Sequence, residues 1–165
     1  MYKLTPYLLF AALLPASFTV MAAPIDVLPV KQIGLDLARD IAVAAVEAKD
    51  GYNVAAVVLD RAGNVQVALR DTLASRHTLE IAERKAGMTI MSGIDSVTFR
   101  AARADIRPEL NHMAGLIVMD GALPIRAAGS LIGAIGVSGA PGGEKDAACA
   151  AVALKKVEER LEFAM

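Results

Sequence analysis

The sequence predicts an α+β fold, a five-stranded, largely antiparallel sheet with helices packed on it. Three observations carry this. Apolar residues recur at helical spacing in stretches 30–49, 75–92 and 144–163, apolar or alternating runs of strand length lie between them, and glycine, proline or asparagine punctuates the junctions. The order helix, two strands, two helices, three strands, helix sets strands beside strands, which favours antiparallel pairing over a strand–helix alternation.

The first helix is expected over Val30–Lys49, with Ile33, Leu37, Ile41, Ala45 and Ala48 as its inner stripe, and "DGYN" breaks it at Gly51. "VAAVVLD" (Val54–Asp60) is apolar throughout and reads as a strand covered on both faces. "RAGN" turns the chain, and "VQVALR" alternates, so the two form a hairpin. A second helix is expected from Ser75 to Ser92, with Leu79, Ala82, Ala86 and Ile90 inside and Gly93 as its stop. A short third helix starts at Asp95 or Ser96 and runs to about Ala104, with Pro108 limiting any extension. Three strands follow: "GLIVMD" (Gly115–Asp120), "LPIRAAG" (Leu123–Gly129) and "LIGAIGVSG" (Leu131–Gly139). A last helix spans Glu144–Phe163 with the stripe Ala147, Ala151, Leu154, Val157 and Leu161.

The N-terminus differs from the rest. Lys3, the apolar run Leu8–Val20 and the small residues Ala22 and Ala23 have the layout of a secretory signal, with cleavage expected after Ala22. Residues 23–29 then form a linker and 30–165 a single domain, with a periplasmic or secreted location and no membrane span in the mature protein. With 17 Lys and Arg against 18 Asp and Glu, the chain has no basic excess of the kind nucleic acid demands. Its single cysteine, Cys149, cannot form an internal disulfide and sits in an Ala-rich helix as an inert thiol.

The glycine-rich stretch "GSLIGAIGVSGAPGGEKDAA" (Gly129–Ala148) runs from a strand into a helix, as nucleotide-binding turns do. Two features exclude a nucleotide. No strand follows that helix to complete a dinucleotide fold, and Lys145 stands between Glu144 and Asp146 rather than in a phosphate-binding G-K-[ST]. The two acids already complement the helix dipole where a phosphate would sit. In the preceding strand Ala134, Gly136 and Ser138 make one face nearly flat, open to close approach by a helix, a neighbouring subunit or a ligand.

"GAIGVSGAPGGEKD" (Gly133–Asp146), "GALPI" (Gly121–Ile125), "LDRAGNV" (Leu59–Val65), "LRD" (Leu69–Asp71) and "AERKA" (Ala82–Ala86) occur in the order found in the GlcG/HbpS family, also called the haem-degrading or DUF336 domain. The resemblance covers nearly the whole mature chain. It implies a profilin-like α/β sandwich that assembles into homo-oligomers. Some members are exported haem-binding proteins linked to redox sensing, and others are encoded with glycolate or diol metabolism. This chain departs in two places: Ala122 replaces a second glycine, and the first helix lacks the histidine that haem-binding relatives are thought to use.

The chemistry available is limited. His77, Glu80 and Glu83 have a spacing that could grip a metal ion, although Glu80 is also placed to pair with Arg84. His112, beside Met113, could ligate haem iron, with Arg107 meeting a propionate, or be an ordinary loop histidine. Lys85 could cover apolar surface with its stem, pair with Asp60 or Asp71, or meet a ligand carboxylate. Arg100, Arg103 and Arg107 would form a basic stripe if the third helix continued. Ser138 is not in a nucleophile motif. Two functions follow as expectations: an exported module that binds haem or a small carboxylate ligand, or an enzyme acting on haem or a small oxidised metabolite, with Lys85, Asp60 and Arg70 near its site. A third is a structural subunit in an assembly. The cofactor candidates are haem and a metal ion.

Overall fold

The computed structural model describes residues 28–48 and 50–163, so the expected signal and its cleavage point lie outside the described residues. Strands β1 (Ala55–Asp60), β2 (Val65–Arg70), β3 (Ala122–Ala127) and β4 (Ser130–Ser138) form one antiparallel sheet in the order β2-β1-β4-β3. β1 is central and buried at every position, as its unbroken apolar run requires. β2 is an edge strand with a broken burial pattern. β3 is the other edge, which is where Pro124 can be tolerated without a ladder N–H. β3 and β4 join through Ala128 and Gly129, whose φ of 46° and 79° is the backbone of a two-residue hairpin turn.

Helices α1 (Leu35–Glu47) and α5 (Gly143–Lys156) cover one face of the sheet, and Ile41, Ala45, Ala150 and Ala153 pack there against Val58, Ile135 and Val137. Helix α2 (His77–Ser92) covers the other face, where Ala82 and Ala86 meet Val57, Leu59 and Ala134. Gly93 ends α2 at φ 72°, as expected of a C-cap glycine. The flat face of β4 is therefore filled by the chain's own helix. A Cβ on Gly136 would lie 2.0 Å from the Ala82 carbonyl oxygen, so α2 sits against bare backbone. That close approach leaves no room there for a neighbouring subunit or a ligand.

Four strands form among the described residues, where five were expected. Gly115–Asp120 joins no ladder. Its Ile117 N–H donates to the Arg84 carbonyl (3.3 Å) and its Val118 N–H to Asn111 Oδ1 (2.8 Å). Leu116 and Val118 pack with Met88, Phe99 and Leu110 beside α2, away from the sheet. An apolar run shows that a segment is buried, not what it is buried against.

Helix α3 (Ser96–Ala102) starts where expected, capped by Asp95 Oδ1, which accepts from the Thr98 N–H at 2.9 Å. It does not continue as a basic stripe. A 3₁₀ turn at Ala104–Ile106 intervenes, and Pro108, expected to stop a helix, lies instead in the first turn of the short α4 (Arg107–Asn111), where its missing N–H costs nothing. The last helix is also divided, into α5 and α6 (Glu158–Glu162), with Val157 buried at the junction. The buried side of α5 carries Asp146, Cys149, Ala150 and Ala153, rather than Ala147 and Ala151. A carboxylate leads that buried line, and its partner explains the rotation.

Candidate functional site

Lys85 lies on the buried side of α2, and its side chain is 1% exposed. A buried ammonium is costly unless its donors are satisfied. Its Nζ donates to Asp146 Oδ2 at 2.7 Å and to the Val137 carbonyl at 3.0 Å. Asp146 Oδ1 in turn accepts from the Ala140 N–H at 3.0 Å, so both carboxylate oxygens are engaged. Burial pushes the Asp146 carboxyl above its ordinary value, against the pull of Lys85. The partner anticipated for Lys85, Asp60 or Asp71, is thus replaced by the acid in the first turn of α5. The first turn of α5, at the end of the glycine-rich stretch, is thus tied to α2 by a lysine from across the molecule.

The corner beside the pair is built from backbone. Gly121 has φ 123°, and a Cβ there would lie 2.8 Å from Lys85 Nζ, from Asp146 Cβ and from the Val137 oxygen. Only glycine fits. Ser96, fully buried, accepts from the Gly121 and Ala122 N–H groups at 2.9 and 3.0 Å and so fixes the turn that presents Asp120. Asp120 Oδ2 pairs with Arg100 at 2.8 Å, while its Oδ1 is buried with no hydrogen-bond partner among the described residues.

Lys85, Asp146, Arg100 and Asp120 wall a hollow of about 480 Å³, a size usual for small-molecule sites. Ile81 and Met119 give it an apolar lining, Ser138, Gly139, Ala140, Gly142 and Gly143 line it as well, and Arg100, Arg107 and Glu144 stand exposed around it. Lys85 has its neighbours already and is sealed beneath, so its work is to join α2 to the β4–α5 corner. Its accessibility does not suit a nucleophile. The guanidiniums are what a ligand would meet first.

The remaining candidates lie elsewhere. Asp60 is at the far end of the sheet, since it faces Gly133 of β4 whereas the Lys85 end is marked by Ser138 opposite Ala55. Its carboxylate accepts from the N–H groups of Ala62 (2.8 Å) and Asn64 (2.9 Å) and from the Asn64 and Gln66 side chains, so it holds the β1–β2 turn. Arg70 donates to the carbonyls of Asp71, Thr72 and Ala74, clamping the loop into α2. His112 lines a second hollow, of about 430 Å³, with Glu80, Glu83 and Met113. That hollow shares no lining residue with the one that holds Arg107. Along α2, Thr78, Ile81 and Lys85 face one hollow and Glu80, Glu83 and Arg84 the other, so the helix separates them. His77 lines neither. Glu80 approaches Arg84 at 3.8 Å, and no set of three or more His, Cys, Asp or Glu side chains gathers to hold a metal among the described residues.

Asp146, Asp120, Ser96 and Glu144 were absent from the expected site. Asp146 carried a usable signal: it falls on the same helical line as Cys149, Ala150 and Ala153, so burying those residues buries it. Ser96 carried none, because its partners are two backbone groups distant in sequence.

The sequence profile described as "Haem degrading protein HbpS-like" matches residues 33–155. Among solved structures, HbpS is similar at 34% identity and TM-score 0.72, covering 84% of this chain and 99% of that one. The DUF336 protein ORFY of Klebsiella pneumoniae is similar at 25% identity and TM-score 0.74, covering 81% and 96%. A complex of PduOC with haem shares the fold at 22% identity and TM-score 0.65, covering 75% and 94%. No curated protein matches the chain.

Proposed function

Because this chain belongs to the HbpS-like, haem-degrading (DUF336) family, we propose that it is an exported binding protein for haem or a smaller carboxylate ligand, taken up in the hollow above Lys85 and Asp146. The observation that carries this reading is the pair of guanidiniums, Arg100 and Arg107, beside a hollow of about 480 Å³ whose floor is a buried ion pair. Guanidinium groups suit carboxylates such as haem propionates. The haem complex of PduOC supports the ligand class. Among the described residues no histidine or cysteine lines this hollow and Met119 is the one soft donor, so these residues fit the carboxylates of haem and not imidazole ligation of the iron. The signal-like N-terminus supports export to the periplasm or medium. The homo-oligomer implied by the resemblance would use surfaces other than the flat face of β4, which α2 occupies.

The test is a haemin titration of the purified protein, followed over time with a reductant present. A stable new absorption band that saturates is the expected result. Progressive bleaching of that band would favour the enzyme reading, and no saturable change would remove haem as the ligand.

A further inference from the structure

We propose that Ser138 and Gly139 form the inner seat of the hollow, where the Ser138 hydroxyl and the Gly139 N–H hold the carboxylate of the ligand. The inference rests on the reading that this hollow is the ligand site. Both residues line it. Ser138 is only 5% exposed, yet its hydroxyl has no hydrogen-bond partner among the described residues. The oxygen is not sealed off as Thr89 Oγ1 is: it keeps what little surface the residue has, and that surface faces the hollow. The neighbouring buried hydroxyls are in use, since Thr78 donates to the Ser75 carbonyl at 2.6 Å and Ser96 accepts from Gly121 and Ala122.

Alternation along β4 fixes both directions. Gly136 faces α2, so Ser138, two residues on, faces the same side, where Thr78 and Ile81 of α2 line the hollow. The helix closes this face at Gly136 and leaves it open at Ser138. In the plane of the sheet, the Val137 N–H donates to the Gly121 carbonyl at 2.8 Å, and the Val137 carbonyl accepts from Lys85. The Gly139 N–H is the next donor along that edge. It points past the end of β3, where Met119 and Asp120 line the hollow, and it has no acceptor among the described residues. Two unpaired donors on consecutive residues call for an acceptor with two oxygens, which a carboxylate supplies. The wall's own acids are otherwise placed: Asp146 is held by Lys85, Asp120 Oδ2 by Arg100, and Glu144 lies against Gly142.

Propionate, a minimal alkyl carboxylate, is titrated into the isotopically labelled protein and the Gly139 amide is followed by NMR. Its proton should move downfield and saturate, as an N–H does on meeting a carboxylate. An unmoved proton overturns the inference. Ser138→Ala should weaken propionate by about ten-fold, the range of a hydrogen bond to a charged group. It should leave the urea midpoint no lower than that of the wild type, because the hydroxyl makes no bond within the protein. Stability lost together with affinity would mark a structural serine and also overturns the inference. Absorption titration with haemin then tells whose carboxylate the seat takes. Equal weakening of haemin, with no change for its dimethyl ester, which has no free carboxylate, assigns the seat to a haem propionate. A haemin affinity that Ser138→Ala leaves alone, beside weakened propionate, assigns it to a smaller acid. If Ser138→Ala changes neither ligand while Arg100→Gln/Arg107→Gln weakens haemin, the inference fails and the site stands. If that arginine variant also changes nothing, the site fails with it.

Discussion

Lys85 Nζ lies 2.7 Å from Asp146 Oδ2, a contact between side chains 61 residues apart, both almost wholly buried. It joins the middle of α2 to the first turn of α5 across the end of β4. Each charge is tolerable only because the other is present.

Lys85→Met should therefore destabilise the protein by about 3–5 kcal/mol, since it leaves the Asp146 carboxylate buried without its cation. Adding Asp146→Leu should recover much of that loss. Urea unfolding of the wild type, both single variants and the double variant gives the coupling directly, and additive effects would show that the two groups do not depend on each other.

Gly136→Ala should cost at least about 1–3 kcal/mol, the usual range for overpacking, because the new methyl meets the Ala82 carbonyl at 2.0 Å and α2 must move off the sheet. Thermal unfolding measures it. A variant as stable as the wild type would mean that α2 does not sit this close to β4.

Asp60 gives a pH dependence of known sign. Burial alone would raise its pKa, but hydrogen bonds from Asn64, Ala62 and Gln66 outweigh burial and hold it below the ordinary 3.8. A depressed folded value stabilises the protein above 3.8, and that contribution is lost as pH falls from there through the folded value. Asp60→Ala should cost about 1–3 kcal/mol at neutral pH, from the stranded donors and the lost carboxylate. The gap to the wild type should narrow as pH drops below 3.8, in unfolding curves taken from pH 7 downward. A gap that is constant with pH would show that Asp60 is not held ionised by the turn.

Export predicts a mature protein that begins at Ala23. Intact-mass measurement of material from the periplasm or medium should find it, and a cytoplasmic form that keeps Met1 would remove export from the account.

Much of this was legible in the sequence, for physical reasons that differ by element. β1 and β2 could be read because an unbroken apolar run beside an alternating one matches a central strand beside an edge strand. The end of α2 was legible in Gly93, whose left-handed backbone suits the residue. Gly115–Asp120 was misread as a strand because Leu116 and Val118 are as apolar as strand residues, while Asn111 and Arg84 take the backbone bonds. The site was harder. Lys85 was picked out, but its partner lies 61 residues away, and which acid it meets depends on the β1–β4 register, which puts Asp60 at the wrong end. Arg107 and His112, five residues apart in sequence, face separate hollows because α2 comes between them.

Haemin titration of the Arg100→Gln/Arg107→Gln double variant, beside His112→Ala, decides where the ligand sits. If it occupies the hollow above Lys85 and Asp146, the double variant should bind haemin at least about ten-fold more weakly, having lost two charge-assisted contacts, and His112→Ala should keep the wild-type band and affinity. Loss of the band in His112→Ala, with the arginine variant unchanged, would place haem in the other hollow and contradict the site proposed for it.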